Sequence, residues 1–416
     1  MKRSRIPLLA VFPVTVITGV IVAPLILGNH PVRWTAGSAM PHVVVGDAHA
    51  GPKPTVEAAG KDAKPPAGSG TGTGTQPPPA APATVANPWK PGMPQWGVQI
   101  YWEDTPEQSA SYLTEKAQLQ AKYLIGLKAN SVSISFPFYT GNVTSTKTTA
   151  GPRTPSPERL ETVLKVFQEA GLRTTVRPLM DEKSLGGMPN WRGTIKPSDK
   201  DAWFASYTKF LGPYLDVAEK HKVASFTLAT ELNSLEGDPR WKALADTAEK
   251  SYSGEIGYDA NYDNYVAGRI NMPVEQLGVD AYFPVKVPDT APVEDLVKGW
   301  NVWLDKKSRG PLPEIVISEA GIGAMTGAYQ EPGDFHTKRA LNTQVQANWY
   351  NAVCQVVKQR KMKGVYWWSI YFDDDPFAKP ADSASRLHFA GRPDTEKAIR
   401  DCFGSDYALT GSTPTS

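Results

Sequence analysis

Eight apolar, strand-like runs alternate with eight helical stretches between Trp96 and Phe403. This alternation predicts an α/β fold, a (β/α)8 TIM barrel, for the folded part of the 416-residue chain. Two further observations support it. The runs end on polar, charged or aromatic residues, and in a parallel barrel the C-terminal strand ends carry the active site. No Gly-x-Gly-x-x-Gly turn follows the first run, which argues against a doubly wound open sheet.

The elements follow in order. Trp96–Trp102 reads as the first strand, with a helix over Ser109–Ala129. Ser131–Tyr139 is the second, with a helix over Ser156–Ala170. Arg173–Asp181 is the third; the long Glu182–Lys196 loop after it is expected to shape one end of a cleft, and a helix follows over Lys200–His221. The fourth strand starts at Ser225, alternates apolar and small polar residues, and stops at Glu231; its helix spans Pro239–Tyr252. Glu255–Tyr262 is the fifth, with a short helix near Tyr265, and Leu277–Pro284 the sixth, with a helix over Val293–Lys307. Glu314 opens the seventh, which delivers Glu319 just before glycine, and a helix covers Thr343–Arg360. Gly364–Tyr371 is the eighth, closed by a helix over Thr395–Cys402.

The regions flanking the barrel differ in composition. Lys2, Arg3 and Arg5 precede the charge-free run Ile6–Gly28, long enough to cross a bilayer. Residues 1–28 therefore read as a membrane anchor with everything after it exported, or as a cleaved signal sequence; the Ala48-His49-Ala50 site lies well beyond the run. Residues 29–92 are rich in Pro, Gly, Ala and Thr and read as a disordered linker, residues 93–404 as the barrel domain, and 405–416 as a disordered tail. The expected location is extracytoplasmic, membrane-anchored or, after cleavage, secreted.

The 44 Lys+Arg against 42 Asp+Glu leave a formal charge of +2, which gives no reason to expect nucleic acid as a partner. The six His show no metal-ligand spacing, and neither a metal nor a cofactor is expected. The run Asp373–Asp375 reads as a solvated loop, since three consecutive acids do not all face one ion. Cys354 and Cys402 fall in the last two helices and form either one disulfide or two buried thiols. A monomer is expected.

Chemistry is concentrated at the strand ends. Glu231 and Glu319 each end a packed strand, where a charge costs stability unless it is used or paired. Two such carboxyls suit a general acid and a nucleophile; the alternative is a pair of salt-bridged strand caps. Around them fall Trp102, Arg177, Asn233, Asn261, Tyr282 and Trp368, a mixture of amides, a guanidinium and aromatic faces that suits a neutral polyhydroxylated ligand such as an oligosaccharide.

Several stretches carry a resemblance. They are Trp191-Arg192-Gly193, Trp203-Phe204 with Tyr207, Thr230-Glu231-Leu232, Tyr258–Tyr265, Gly278–Pro284, Ser318–Gly321 and Tyr366-Trp367-Trp368. In this order, over residues 93–403, the chain resembles glycoside hydrolase family 113, β-1,4-mannanase-type members of the retaining 4/7 barrel clan. The resemblance implies a double displacement in which Glu319 is the nucleophile and Glu231 the acid/base, with carboxyls about 5–5.5 Å apart. It implies a raised pKa for Glu231 relative to Glu319, Tyr282 bonded to Glu319, and Trp368 as the floor of the reacting subsite. Asn261, Arg177 and Trp102 would line neighbouring subsites, and Asn233 would bind substrate beside them. One departure stands out: many clan members carry Asn directly before the acid/base to contact the sugar 2-hydroxyl, and here Thr230 occupies that position. The expected function is hydrolysis of a β-linked polysaccharide, with β-1,4-mannan the precedent; the competing readings are a non-catalytic carbohydrate-binding or cell-envelope barrel, and a transglycosidase.

Overall fold

The computed structural model describes residues 83–405 except 188, 335, 336, 338 and 382–384. The expected anchor, most of the linker and nearly all of the tail lie outside the described residues. Among the described residues, no helix is long and apolar enough to cross a membrane.

The barrel strands are β1 (Gln95–Tyr101), β2 (Ser131–Phe138), β3 (Arg173–Met180), β4 (Ser225–Thr230), β5 (Glu255–Asn261), β6 (Gln276–Asp280), β7 (Ile315–Ala320) and β8 (Gly364–Tyr371). Each pairs in parallel with its sequence neighbours, and β8 pairs with β1, closing a TIM barrel. Nearly every strand residue is buried, because a parallel barrel strand has side chains inside on one face and helices over the other. The strands are interleaved with α1 (Ala110–Gly126), α2 (Pro157–Glu169), α3 (Lys200–Lys220), α4 (Arg240–Ser251), the short α5 (Tyr262–Val266), α6 (Val293–Leu304), α7 (Thr343–Gln359) and α8 (Pro393–Phe403).

Helix starts follow the capping residues. Ser109, Ser156 and Asp199 each accept a hydrogen bond from the backbone N–H three residues on, satisfying a donor that the first helical turn leaves open. Most boundaries fall within a few residues of the sequence reading. The sixth strand is the shortest by comparison: it ends at Asp280 rather than Pro284, since its register with β7 stops at the Asp280–Glu319 pair. The Glu182–Lys196 loop holds a feature that composition does not reveal, a two-stranded ribbon of Gly186–Gly187 with Asn190–Trp191, followed by a 3-10 turn over Arg192–Thr194.

The barrel's base is also covered. Residues 83–92, assigned by composition to the linker, lie against it. The Val85 N–H donates to Ala170 O at 2.8 Å, and the Arg173 guanidinium sits 5.0 Å from the centre of the Trp89 ring. Val85 packs against the hydrophobic core, so this stretch is held by apolar contact as well as by its hydrogen bond. Cys354 of α7 and Cys402 of α8 form a disulfide with Cα atoms 5.8 Å apart.

Candidate active site

Register brings the chemistry to one end of the barrel. Thr230 of β4 pairs with Asp259 of β5, Asn261 with Asp280 of β6, and Asp280 with Glu319 of β7. The β4–β5 register shifts between Thr227 and Thr230, an irregularity of the kind that re-aims side chains beside active sites. Directly after it, Glu231 has φ +54°, in the left-handed region that non-glycine residues seldom adopt.

Glu231 and Glu319 are 0 % and 1 % exposed. Asn261 Nδ2 donates to Glu231 Oε1 at 2.8 Å, and Arg192 Nη1 to Oε2 at 3.1 Å. The Tyr282 hydroxyl donates to Glu319 Oε2 at 2.7 Å. Arg177 Nη2 stands 2.7 Å from Glu319 Oε1, a contact of charges rather than an aligned hydrogen bond.

Beneath the pair lies a buried charge network centred on Arg177. Its Nε donates to Asp259 Oδ2 at 2.5 Å, and its Nη2 to Thr230 Oγ1 at 2.8 Å and Asp280 Oδ2 at 3.0 Å. The Thr230 hydroxyl donates in turn to Asp280, and Ser318 Oγ donates to Asp280 Oδ1 at 2.8 Å. Gly278 makes room for this network, since a Cβ there would lie 2.0 Å from Asp259 Oδ1 and 2.6 Å from Ser318 Oγ.

Four carboxyls therefore face two guanidiniums, and burial disfavours the charged forms. Burial pushes Glu231 up to about 8, against the attraction of Arg192, and Asp259 up to about 6, against that of Arg177. The expectation that Glu231 stands raised relative to Glu319 meets a more symmetric site. Glu319 is also lifted well above the ordinary carboxylate range, by burial and then by Asp280, while Arg177 and Tyr282 favour its ionised form.

The remaining residues singled out from sequence divide by position. Asn261 and Tyr282 touch the two carboxyls directly. Trp368 packs at the same end, its ring centre 5.8 Å from the Arg177 guanidinium and 5.9 Å from the Tyr101 ring; the Trp368–Ser369 peptide is cis. Arg177 is wholly buried inside the ion network, where its length lets one guanidinium reach Ser135, Thr230, Asp259, Asp280 and Glu319, so it underlies the pair instead of lining a neighbouring subsite. Trp102 is buried against Phe372, with ring centres 4.9 Å apart, and presents no open face. Asn233 is half-buried and donates to Asp263 Oδ1 at 3.0 Å.

Sequence reasoning assigned no role to Arg192, Asp259 or Ser318. The signal available was charge inside apolar strands: Asp259 and Asp280 interrupt β5 and β6 just where Arg177 interrupts β3. Two surface depressions of about 550 and 760 Å3 lie on the barrel's flanks, around Tyr123 and Phe377 and around Thr148 and Phe210, away from the carboxyl pair.

Comparison with known proteins fits this geometry. The chain overlays on a family 113 β-1,4-mannanase in a complex structure with a TM-score of 0.64 at 17% identity, covering 76% of this chain and 100% of the other. A family 113 β-mannanase from Alicyclobacillus acidocaldarius, in complex with ManMIm, gives 0.61 at 18% identity, covering 75% and 97%. A β-glucuronidase from Faecalibacterium prausnitzii gives 0.51 at 12% identity, covering 77% of this chain and 50% of that one. No curated protein matches the chain by sequence. The family model for Glycoside Hydrolase Family 113 matches residues 102–384, a span running from the end of β1 past the end of β8. Covering well over half of the chain, and with it the strand ends that hold Glu231 and Glu319, that match makes the chain a member of Glycoside Hydrolase Family 113, a glycoside hydrolase.

Proposed function

We propose that the protein is an exported, retaining endo-acting hydrolase of a β-linked polysaccharide, β-1,4-mannan first among them. The observation that carries this reading is the pairing of Glu231 with Glu319 at one barrel end, each held by its own set of donors. Glu319 attacks the anomeric carbon while Glu231 gives its proton to the leaving oxygen; Glu231 then takes a proton from water, which displaces the sugar from Glu319. A carboxyl lifted to about 8 keeps its proton at neutral pH, as the acid must. Burial and Asp280 raise Glu319 as well; Arg177 and Tyr282 oppose that shift and are the groups that favour the ionised form the nucleophile needs. Arg192 yields its contact with Glu231 Oε2 when the leaving oxygen arrives.

Thr230 marks a difference from clan members with Asn before the acid/base. Its hydroxyl is engaged by Arg177 and Asp280, so recognition of the sugar 2-hydroxyl falls to another group. The two mannanase neighbours support mannan as substrate. The positively flanked apolar run at Ile6–Gly28 supports export with a retained anchor, which membrane fractionation of the intact chain tests directly.

The decisive experiment incubates the full chain with β-mannan, glucomannan, β-glucan, xylan and α-glucans, beside Glu231→Gln and Glu319→Gln. Release of short products from one polymer, with retained anomeric configuration and lost in both variants, is the expected result. Full activity in Glu319→Gln rules out the nucleophile assignment. Binding without product release moves the assignment to a carbohydrate-binding barrel.

A further inference from the structure

The motif Tyr258-Asp-Ala-Asn-Tyr-Asp-Asn, which closes β5 and opens α5, makes several contacts with the loop that begins with Glu231. Asp259 O accepts from the Glu231 N–H at 2.9 Å, and Asn261 Nδ2 donates to its carboxyl. The Tyr258 hydroxyl accepts from the Leu232 N–H at 3.1 Å and donates to Glu236 Oε1 at 2.7 Å. Asn264 Nδ2 donates to Glu236 Oε2 at 2.5 Å and to Asn233 O at 3.4 Å, and Asp263 accepts from Asn233. The loop 231–236 is thus tied at Glu231, Leu232, Asn233 and Glu236 to one stretch of seven residues, 258–264.

The position of these ties matters because Glu231 occupies the left-handed region. A residue there returns to the extended or right-handed regions unless its neighbours hold it, and such a change would swing the carboxyl away from Glu319. The tie one residue downstream is a buried one. Tyr258 is fully covered, its ring meets Trp241 edge-on at 5.7 Å, and its hydroxyl has both a donor and an acceptor role filled. Glu236, on the loop itself, orients that hydroxyl. Desolvation lifts the Glu236 carboxyl to about 7, against the pull of its bonds to Tyr258 and Asn264.

We propose that Tyr258 and Glu236 are positioning residues for the acid/base Glu231, holding the strained backbone behind it through the Leu232 N–H. The inference rests on the acid/base reading of Glu231. Its consequence is selective: misplacing a general acid slows cleavage of poor leaving groups, which need a proton, and spares activated ones, which do not.

The test compares kcat/KM of the full chain, Tyr258→Phe, Glu236→Gln and Glu231→Gln on two substrates. One is the unmodified oligosaccharide cleaved in the polymer screen; the other is its 2,4-dinitrophenyl glycoside. Tyr252→Phe, which loses a buried tyrosine hydroxyl bonded to Val223 O at the barrel's base, controls for simple loss of a buried hydrogen bond. Tyr258→Phe and Glu236→Gln are expected to lose about 10- to 100-fold on the oligosaccharide and less than about threefold on the dinitrophenyl glycoside, with melting temperatures close to that of Tyr252→Phe. Equal losses on the two substrates, or no loss on either, overturn the proposal. If Glu231→Gln itself fails to discriminate the leaving groups, the acid/base reading falls and takes the inference with it. If Glu231→Gln discriminates and Tyr258→Phe does not, only the positioning role is refuted.

Discussion

Replacing Glu231 by Gln should make the protein more stable, and increasingly so as pH rises. The argument starts from burial. In the folded state the carboxyl is pushed from its ordinary value near 4.5 up to about 8, chiefly by desolvation and with the attraction of Arg192 already included. A carboxyl raised on folding contributes its full stability below about 4.5, and loses it as pH climbs through 8. Between those limits the unfolded chain releases a proton that the folded chain keeps. The corresponding free energy is roughly 5 kcal/mol, at about 1.4 kcal/mol per tenfold change in acidity. Glutamine cannot ionise and resembles the protonated acid in shape, so it escapes the whole loss. At pH 5 the two proteins should melt within a few degrees of each other. At pH 9 the variant should melt higher by up to about 10 °C, taking about 2 °C per kcal/mol for a domain of this size. Calorimetry at pH 5, 7 and 9 on both proteins is sufficient. A difference that stays flat with pH, or that favours the wild type at pH 9, refutes the burial argument for Glu231.

Three further outcomes follow from the same geometry. Arg177→Met leaves Asp259, Asp280 and Glu319 without their shared cation, so urea unfolding should show a loss of about 3–5 kcal/mol, larger at pH 8 than at pH 5 because Asp259 and Glu319, both raised by burial, charge as pH rises. Ser replacements of Cys354 and Cys402 open a link across 48 residues and should cost about 4 kcal/mol; treating the wild type with a reductant under denaturing conditions should reproduce that loss. Tyr282→Phe removes the donor to Glu319 Oε2 and should lower kcat by about 10- to 1000-fold while leaving KM within about threefold, as steady-state kinetics on the screened substrate would show.

Much of this was legible in the chain itself, for physical reasons. Parallel barrel strands are buried on both faces, so β2 through β8 stand out as apolar runs, and a polar residue at the end of a run marks the barrel's active face. Glu231 and Glu319 were visible for that reason. What a run does not reveal is which way each side chain points. Trp102, read as a sugar platform, turns toward Phe372, and Arg177, read as a subsite residue, threads inward to three carboxyls. Both placements depend on register between strands far apart in sequence. Arg192 was hidden for another reason: it reaches Glu231 from a 3-10 turn in a long loop, and neither periodicity nor spacing predicts where such a turn lands. The contacts of residues 83–92 with the barrel base were hidden more locally, because two apolar residues, Val85 and Trp89, are too few to register in a composition window.

That docked stretch fixes a polarity for the molecule. The chain enters the barrel along its base, where Val85 meets Ala170 and Trp89 meets Arg173, at the start of β3 and not at its end. Glu231 and Glu319 sit at the opposite pole. A pull applied to the chain at residue 83 therefore reaches the floor of the barrel before it reaches the carboxyl pair.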